Sequence, residues 1–131
     1  MRRLTLTKAK IDRAVILARK YYEAFPPDVI GEPRSLFEEG SERVTSAEDQ
    51  VIAELFYEFL VALPHQEMRE LQSMMYLGRG DITTARFWAE CDGLDIDDDG
   101  EKEANHVMSK AAVLVDYLYE GFSRLNQARL I

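Results

Sequence analysis

The stretch LPHQEMRELQSMMYLGRGD, residues 63–81, decides how this chain folds. Met68, Leu71 and Met75 recur at intervals of three and four, the spacing that lines one face of a helix. Pro64 has no amide to donate, so it ends the element before it and suits the first turn of the next. Gly78 takes positive φ at little steric cost and reads as the C-terminal cap. Asp81 then offers a carboxylate to the unpaired amides that open a further helix. The spacing predicts a helix over 64–77, bounded by a corner on one side and a turn on the other.

The same grammar extends in both directions. Upstream, Ile52, Leu55, Phe56, Phe59 and Leu63 share one face of a helix over 46–63, with Glu48, Glu54 and Glu58 outside. Thr45-Ser46-Ala47-Glu48 forms its capping box, the hydroxyl accepting an early amide while the glutamate reaches back. The break at Pro64 allows only a tight corner, so the helices 46–63 and 64–77 are expected to pair as a hairpin. Before them, 26–44 is a long loop holding Pro26, Pro27, Pro33, Gly31 and Gly40, within which Leu36 and Phe37 suit a single pinning turn. A first helix over 7–25 starts at Thr7 and buries Ile11, Ala14, Val15, Ala18, Tyr22 and Phe25.

Downstream, a fourth helix over 82–92 is expected to bury Ile82, Ala85, Trp88 and Ala89, followed by an acidic connector over 93–100. The last helix, 101–126, carries Met108, Ala111, Ala112, Val115, Tyr119 and Phe122 on one stripe, widened by Val107, Leu114, Leu118 and Leu125. A helix apolar around so much of its girth is central or packs against a second copy. Ser109-Lys110 is where it would break. Gly121, in mid-helix, costs about 1 kcal/mol against alanine and signals a close helix crossing or a ligand that needs room. No strand pattern and no internal repeat accompany these elements. The fold is all-α, a compact bundle of five main helices in one domain over 1–131.

Composition agrees. A chain of 131 residues with 47% hydrophobic and 31% charged side chains can close a core without disulfides or structural metals. Its single cysteine, Cys91, excludes an intramolecular disulfide and any all-cysteine zinc site. The basic start Met1-Arg2-Arg3 is not followed by an apolar stretch of signal length. The apolar runs 14–18 and 111–115 are too short to span a bilayer, so a cytoplasmic protein is expected. The net charge of −8 argues against wrapping nucleic acid. That charge is unevenly spread: residues 1–45 carry nine bases and seven acids, residues 46–131 seven bases and seventeen acids. Two readings fit: solvated faces that simply differ, or a basic head and an acidic belly that attract each other, within one molecule or between two.

Several motifs suggest chemistry. Asp95-Ile96-Asp97-Asp98-Asp99-Gly100 opens like a calcium loop of the EF-hand type, with carboxylates at the first, third and fifth positions and glycine at the sixth. Lys102 then stands where an apolar anchor belongs, and His106 where a bidentate glutamate closes the site. The bland alternative is a solvated connector whose carboxylates favour the start of the last helix. Cys91, His106 and Asp116 contain the residue types of a nucleophilic triad, but no nucleophile elbow or glycine-rich oxyanion loop surrounds them. Arg79-Gly80-Asp81 matches an adhesion tripeptide and is better read as turn and cap. The first helix presents Lys8, Lys10, Arg13, Arg19 and Lys20 on its polar side, with Tyr21 and Tyr22 near its end; such a basic amphipathic helix can touch nucleic acid, an anionic membrane or an acidic partner, but its usual state is to pack by its apolar stripe with its bases in water.

Tyr76-Leu77-Gly78-Arg79-Gly80-Asp81, then Trp88, then Asp116-Tyr117-Leu118-Tyr119-Glu120-Gly121-Phe122 resembles a bacterial domain family of unknown function. That family is marked by a Leu-Gly-Arg-Gly-Asp junction, a following tryptophan and a final Asp-Tyr-Leu-x-x-Gly helix. The similarity covers 59–125 and implies a small helical bacterial domain with a shared core; it carries no activity or cofactor.

Three functions fit these residues. The first is a non-enzymatic protein-interaction or regulatory module, a homo-oligomer or a partner-binding domain that uses its helical faces. The second is a divalent-cation module, binding calcium through Asp95, Asp97 and Asp99 in the 95–103 loop. The third is a small-ligand or catalytic pocket formed by Arg79, Asp81, Trp88, Tyr117 and Glu120, as concave sites with a few convergent polar groups are. No residue is assigned to catalysis, and no cofactor other than calcium is expected.

Overall fold

A computed structural model describes residues 3–25, 47–96 and 98–129. They form six α-helices: α1 Lys8–Ala24, α2 Ala47–Val61, α3 His65–Arg79, α4 Phe87–Gly93, α5 Glu101–Met108 and α6 Ala111–Gln127. A 3-10 turn, Thr84–Arg86, leads into α4, and no strand occurs among the described residues. The architecture is all-α as expected, with six helices rather than five. The 26–44 loop and the threonine end of the Thr45 capping box lie outside the described residues.

The extra helix comes from the break at Ser109-Lys110. The Ser109 hydroxyl donates to the His106 carbonyl at 2.6 Å, and the Lys110 amide donates to the Val107 carbonyl at 2.9 Å. This tighter bonding ends α5 and restarts the ladder at Ala111. The restart also explains why the expected stripe is displaced. α6 buries Ala111, Leu114, Leu118, Gly121 and Leu125, while Ala112 and Tyr119 are exposed.

α3 is the most deeply set element, burying Met68, Leu71, Met74, Met75 and Leu77 together with Glu70, Gln72 and Ser73. It runs two residues past the expected end because Gly78 does not cap it. Gly80 does, at φ 94°. The Gly80 amide donates to the carbonyls of Leu77 and Tyr76, and the Asp81 amide to that of Tyr76 at 2.9 Å, the bonding of a Schellman turn.

Gly78 serves a different purpose. A Cβ there would lie within 2.6 Å of the Tyr117 carbonyl carbon. A Cβ on Gly121 would lie within 3.0 Å of the Met74 carbonyl carbon. Gly78 of α3 faces Tyr117 of α6, and Gly121 of α6 faces Met74 of α3, one helical turn apart on each helix. The two helices therefore run antiparallel with their backbones in contact. Arg124 Nη1 adds a bond to the Leu77 carbonyl at 2.9 Å, which satisfies an acceptor at the α3 terminus. The crossing anticipated at Gly121 is present, and its reciprocal half is Gly78.

The other helices assemble around this pair. α1 packs along α6, α2 lies against α1, α5 rests on α2, and α4 covers α3. α2 and α3 meet only at their corner and do not form the expected hairpin, because the apolar face of α3 is taken by α6 and α4. On α1, Thr7 accepts from the Lys10 amide and Ile11, Ala14, Val15, Leu17 and Ala18 are buried. Tyr22 is exposed. Tyr21 replaces it, with its ring centroid 5.6 Å from that of Phe56. On α2, Phe56 and Leu60 are buried and Leu55 is exposed. On α4 the buried residues are Phe87 and Cys91; Ile82 and Trp88 are half-buried, and Ala85 and Ala89 face outward.

A short strap joins the N-terminus to α3. The fully buried Glu70 carboxylate accepts from the Thr5 amide at 2.9 Å, the Leu6 amide at 2.8 Å, the Thr5 hydroxyl at 3.1 Å and Gln66 Nε2 at 3.0 Å. Four donors compensate the desolvation of a buried carboxylate.

The glycine crossing gives a direct test. Gly121→Ala and Gly78→Ala each force the helices apart, and each is expected to lower unfolding free energy by about 1–3 kcal/mol or more. Gly93, with nothing near its missing Cβ, is the control: Gly93→Ala is expected to be neutral or stabilising by up to about 1 kcal/mol. Urea midpoints at constant slope measure all three.

Candidate functional site

The residues singled out from the sequence take up different tasks. Arg79 pairs with Asp81 two positions on, through Nε at 2.7 Å and a second contact from Nη2, with its guanidinium 5.9 Å from the Tyr76 ring centroid. Its pKa is raised by the hydrogen bond to Asp81. Asp81 is thus held by Arg79 instead of capping a helix, and Thr83 occupies the N-cap position of the 3-10 turn without a side-chain bond. Trp88 packs edge-on against Phe87, the ring centroids 5.0 Å apart. Glu120 pairs with Arg124 at 2.9 Å. Tyr117 and Glu120 share a surface depression with Gly78, Asp116 and Tyr119, and Tyr117 is near enough to Arg79 to help raise its pKa.

A second concavity lies where α3 faces α5. It is a groove of about 500 Å³ whose walls include Gln72 and Tyr76 from α3, Glu103 and His106 from α5, and Asp95 from the connector. At one end the Tyr76 hydroxyl and His106 Nε2 lie 3.3 Å apart, at hydrogen-bond distance, with ring centroids 6.4 Å apart. One turn earlier on α3, Gln72 is 4% exposed and its Nε2 has no acceptor among the described residues. Glu103 is 6% exposed on the facing helix. The connector is held in place by Arg69, whose Nε donates to the Leu94 carbonyl at 2.9 Å.

Besides Arg79, three groups among the described residues titrate away from their ordinary values. Burial pushes His106 down, and the positive charges of Lys110 and Arg79 push it further. Burial raises Tyr76; Arg79 opposes this, and Glu90 and Asp81 add to it. Desolvation also raises Tyr57, helped by Glu101 and Asp99 and by a hydrogen bond to Glu101.

The acidic connector and the basic helix stand apart. Asp95, Asp98, Asp99 and Glu101 are exposed, and Asp97 lies outside the described residues. Asp99 Oδ1 accepts from the Glu101 amide at 3.1 Å, so it satisfies the first amide of α5, whose N-cap position is Gly100. No group of three His, Cys, Asp or Glu residues suited to a metal occurs among the described residues. Lys8 pairs with Asp12 at 3.0 Å and lies over the rings of Tyr119 and Phe122. Lys10 pairs with Glu67 at 2.6 Å. Arg13, Arg19 and Lys20 are exposed, and no ion pair among the described residues joins α1 to the acidic connector. The triad candidates sit in unlike settings: Cys91 is buried on α4, Asp116 is exposed on α6, and His106 faces Tyr76.

No known protein family, curated protein or solved structure matches the chain. Among the described residues, no helix is long and apolar enough to cross a membrane.

The sequence marks Tyr76 only as the start of the resemblance motif and Glu103 only as the end of the acidic loop, and it does not mark Gln72 at all. The available signal was Gln72, a polar residue four positions after Met68 on the inward row of α3.

His106 carries the pH test of this site. Its folded pKa lies below the unfolded value of about 6.5, so the unfolded chain binds the proton first as pH falls. The stabilisation is complete above about pH 6.5 and is lost as pH falls through that value towards the folded pKa. The urea midpoint of the wild type is expected to drop from about pH 7 to about pH 5.5. His106→Gln is expected to flatten that slope.

Proposed function

We propose that the chain is a non-enzymatic interaction module that self-associates, the outer face of α1 in one copy meeting the acidic connector of another. What supports it is the charge pattern: among the described residues, no ion pair joins Arg13, Arg19 or Lys20 on one side to Asp95, Asp98 or Glu101 on the other. Lys10 and Glu67 make one such contact within the monomer; we take the outer bases of α1 and the acidic connector to meet between molecules. Ile16, 44% exposed, shares the outer face of α1 with Arg13 and Lys20 and supplies an apolar anchor inside a charged rim. Two such contacts, each head on the other's belly, close a twofold dimer. The proposal takes the chain as a bacterial, cytoplasmic domain, on the motif resemblance and the single cysteine.

Sedimentation at about 0.01 M and about 1 M salt tests it, because the screening length falls about tenfold between them. A dimer at low salt that dissociates at high salt is expected. The triple variant Arg13→Glu, Arg19→Glu, Lys20→Glu is expected to be monomeric at both. A wild-type monomer at both salts, or a dimer indifferent to salt, would overturn the proposal.

A further inference from the structure

A separate recess lies between the N-terminal strap and the last two turns of α6. Its volume is about 370 Å³, with Arg3, Leu4, Leu6 and Lys8 on one side and Phe122 and Asn126 on the other. Leu6 is 3% exposed, and Leu4 and Phe122 are half-buried against the core. The strap does not collapse onto α6, because the buried Glu70 carboxylate holds the Thr5 and Leu6 amides to α3 at 2.9 and 2.8 Å. The folded chain thus keeps an apolar recess open at its surface.

The charge around this recess runs against that of the chain. The net charge is −8, yet two bases and no acid are among the described residues that line the recess. Lys8 is anchored there: its Nζ pairs with Asp12 at 3.0 Å and lies 5.6 Å from the Phe122 ring centroid. Arg3 is exposed and joins no ion pair among the described residues. Its guanidinium is a planar fork of donors that matches the two oxygens of a carboxylate. Asn126 adds a neutral, exposed amide.

A ligand that fits combines hydrocarbon with negative charge. Each methylene that leaves water for an apolar wall raises affinity about fourfold. A positive rim attracts an anion and repels a cation of the same shape. A volume of about 370 Å³ lies within the usual range of sites for small molecules.

We propose that this recess binds a free aliphatic carboxylate, its chain along Leu4, Leu6 and Phe122 and its head group on Arg3. Binding needs no chemical step. It is independent of self-association, since Arg13, Arg19 and Lys20 do not line the recess.

Octanoate is the probe, titrated into the wild-type chain, with octylammonium as the cation of the same length. Saturable shifts of the Leu4 and Leu6 methyl and Phe122 ring resonances with octanoate are expected. Octylammonium is expected to bind at least about tenfold more weakly, for want of a charge-assisted bond. Hexanoate, two methylenes shorter, is also expected to bind about tenfold more weakly. Arg3→Gln is expected to weaken octanoate about tenfold and to leave neutral octanol unchanged, a split that a loss of structure would not give. Absence of saturable shifts at Leu6 and Phe122, equal binding of octanoate and octylammonium, or an Arg3→Gln variant with wild-type affinity for octanoate would overturn the proposal. Binding to phosphatidylglycerol vesicles without a response to octanoate would also overturn it, by assigning this surface to a membrane. If Arg3→Gln fails to fold, the comparison of octanoate with octylammonium on the wild type decides alone.

Discussion

Two helices whose backbones touch fix the rest of this structure. α3 and α6 approach so closely that neither Gly78 nor Gly121 has room for a methyl group. Close approach of this kind exchanges side-chain volume for many short contacts, each small but collectively large. It also makes the pair stiff, because the two glycines fix both the register and the depth of the crossing. Every other helix packs on one member of this pair or on a helix that does. α1 uses the flank of α6, α4 uses the flank of α3, and α2 and α5 complete the circuit through α1.

The crossing also places the chemistry. Gln72 and Tyr76 lie on the same two turns of α3 as Met74 and Gly78, so the side of α3 away from α6 is as fixed as the side against it. α5 reaches that side because the chain turns at Ser109-Lys110 before α6 begins. The groove is the space left between a rigid helix and a short one that joins it at an angle. The polar groups along it are buried by the backbone arrangement, whereas the charged surfaces on α1 and the connector stand clear of it. Two surfaces with different chemistry thus coexist on a small domain: one charged and outward, and one recessed.

Much of the fold was legible because period and punctuation act locally. Thr7 as a cap, Met68, Leu71 and Met75 as inward residues, and the corner at Pro64 all depend on neighbours within one or two turns. Gly121 as a crossing was legible too, since a glycine in mid-helix asks for a reason. What escaped depends on distance. Gly78 reads as a cap in sequence because a second glycine two positions later is indistinguishable by rule; only the approach of Tyr117 shows that Gly78 makes room and Gly80 turns the chain. Leu55 and Tyr22 fit their helical stripes yet face outward, because α1 and α2 each meet their neighbours over a narrower arc than the stripe suggests. The Gln72–Glu103 groove was invisible for the same reason: its walls are thirty residues apart in sequence and meet through tertiary packing alone. Arg79 and Asp81, conspicuous in sequence, satisfy each other.

If the α3–α6 contact is the element on which the fold depends, it should be the last to open. Native-state hydrogen exchange measures this residue by residue. The amides over 74–78 and 117–121 are expected to exchange only through global unfolding, with opening free energies equal to that from denaturant. Amides of α1 and α4 are expected to open at lower cost. Exchange of the crossing amides through a smaller opening, while α1 remained protected, would contradict the central place given to this pair.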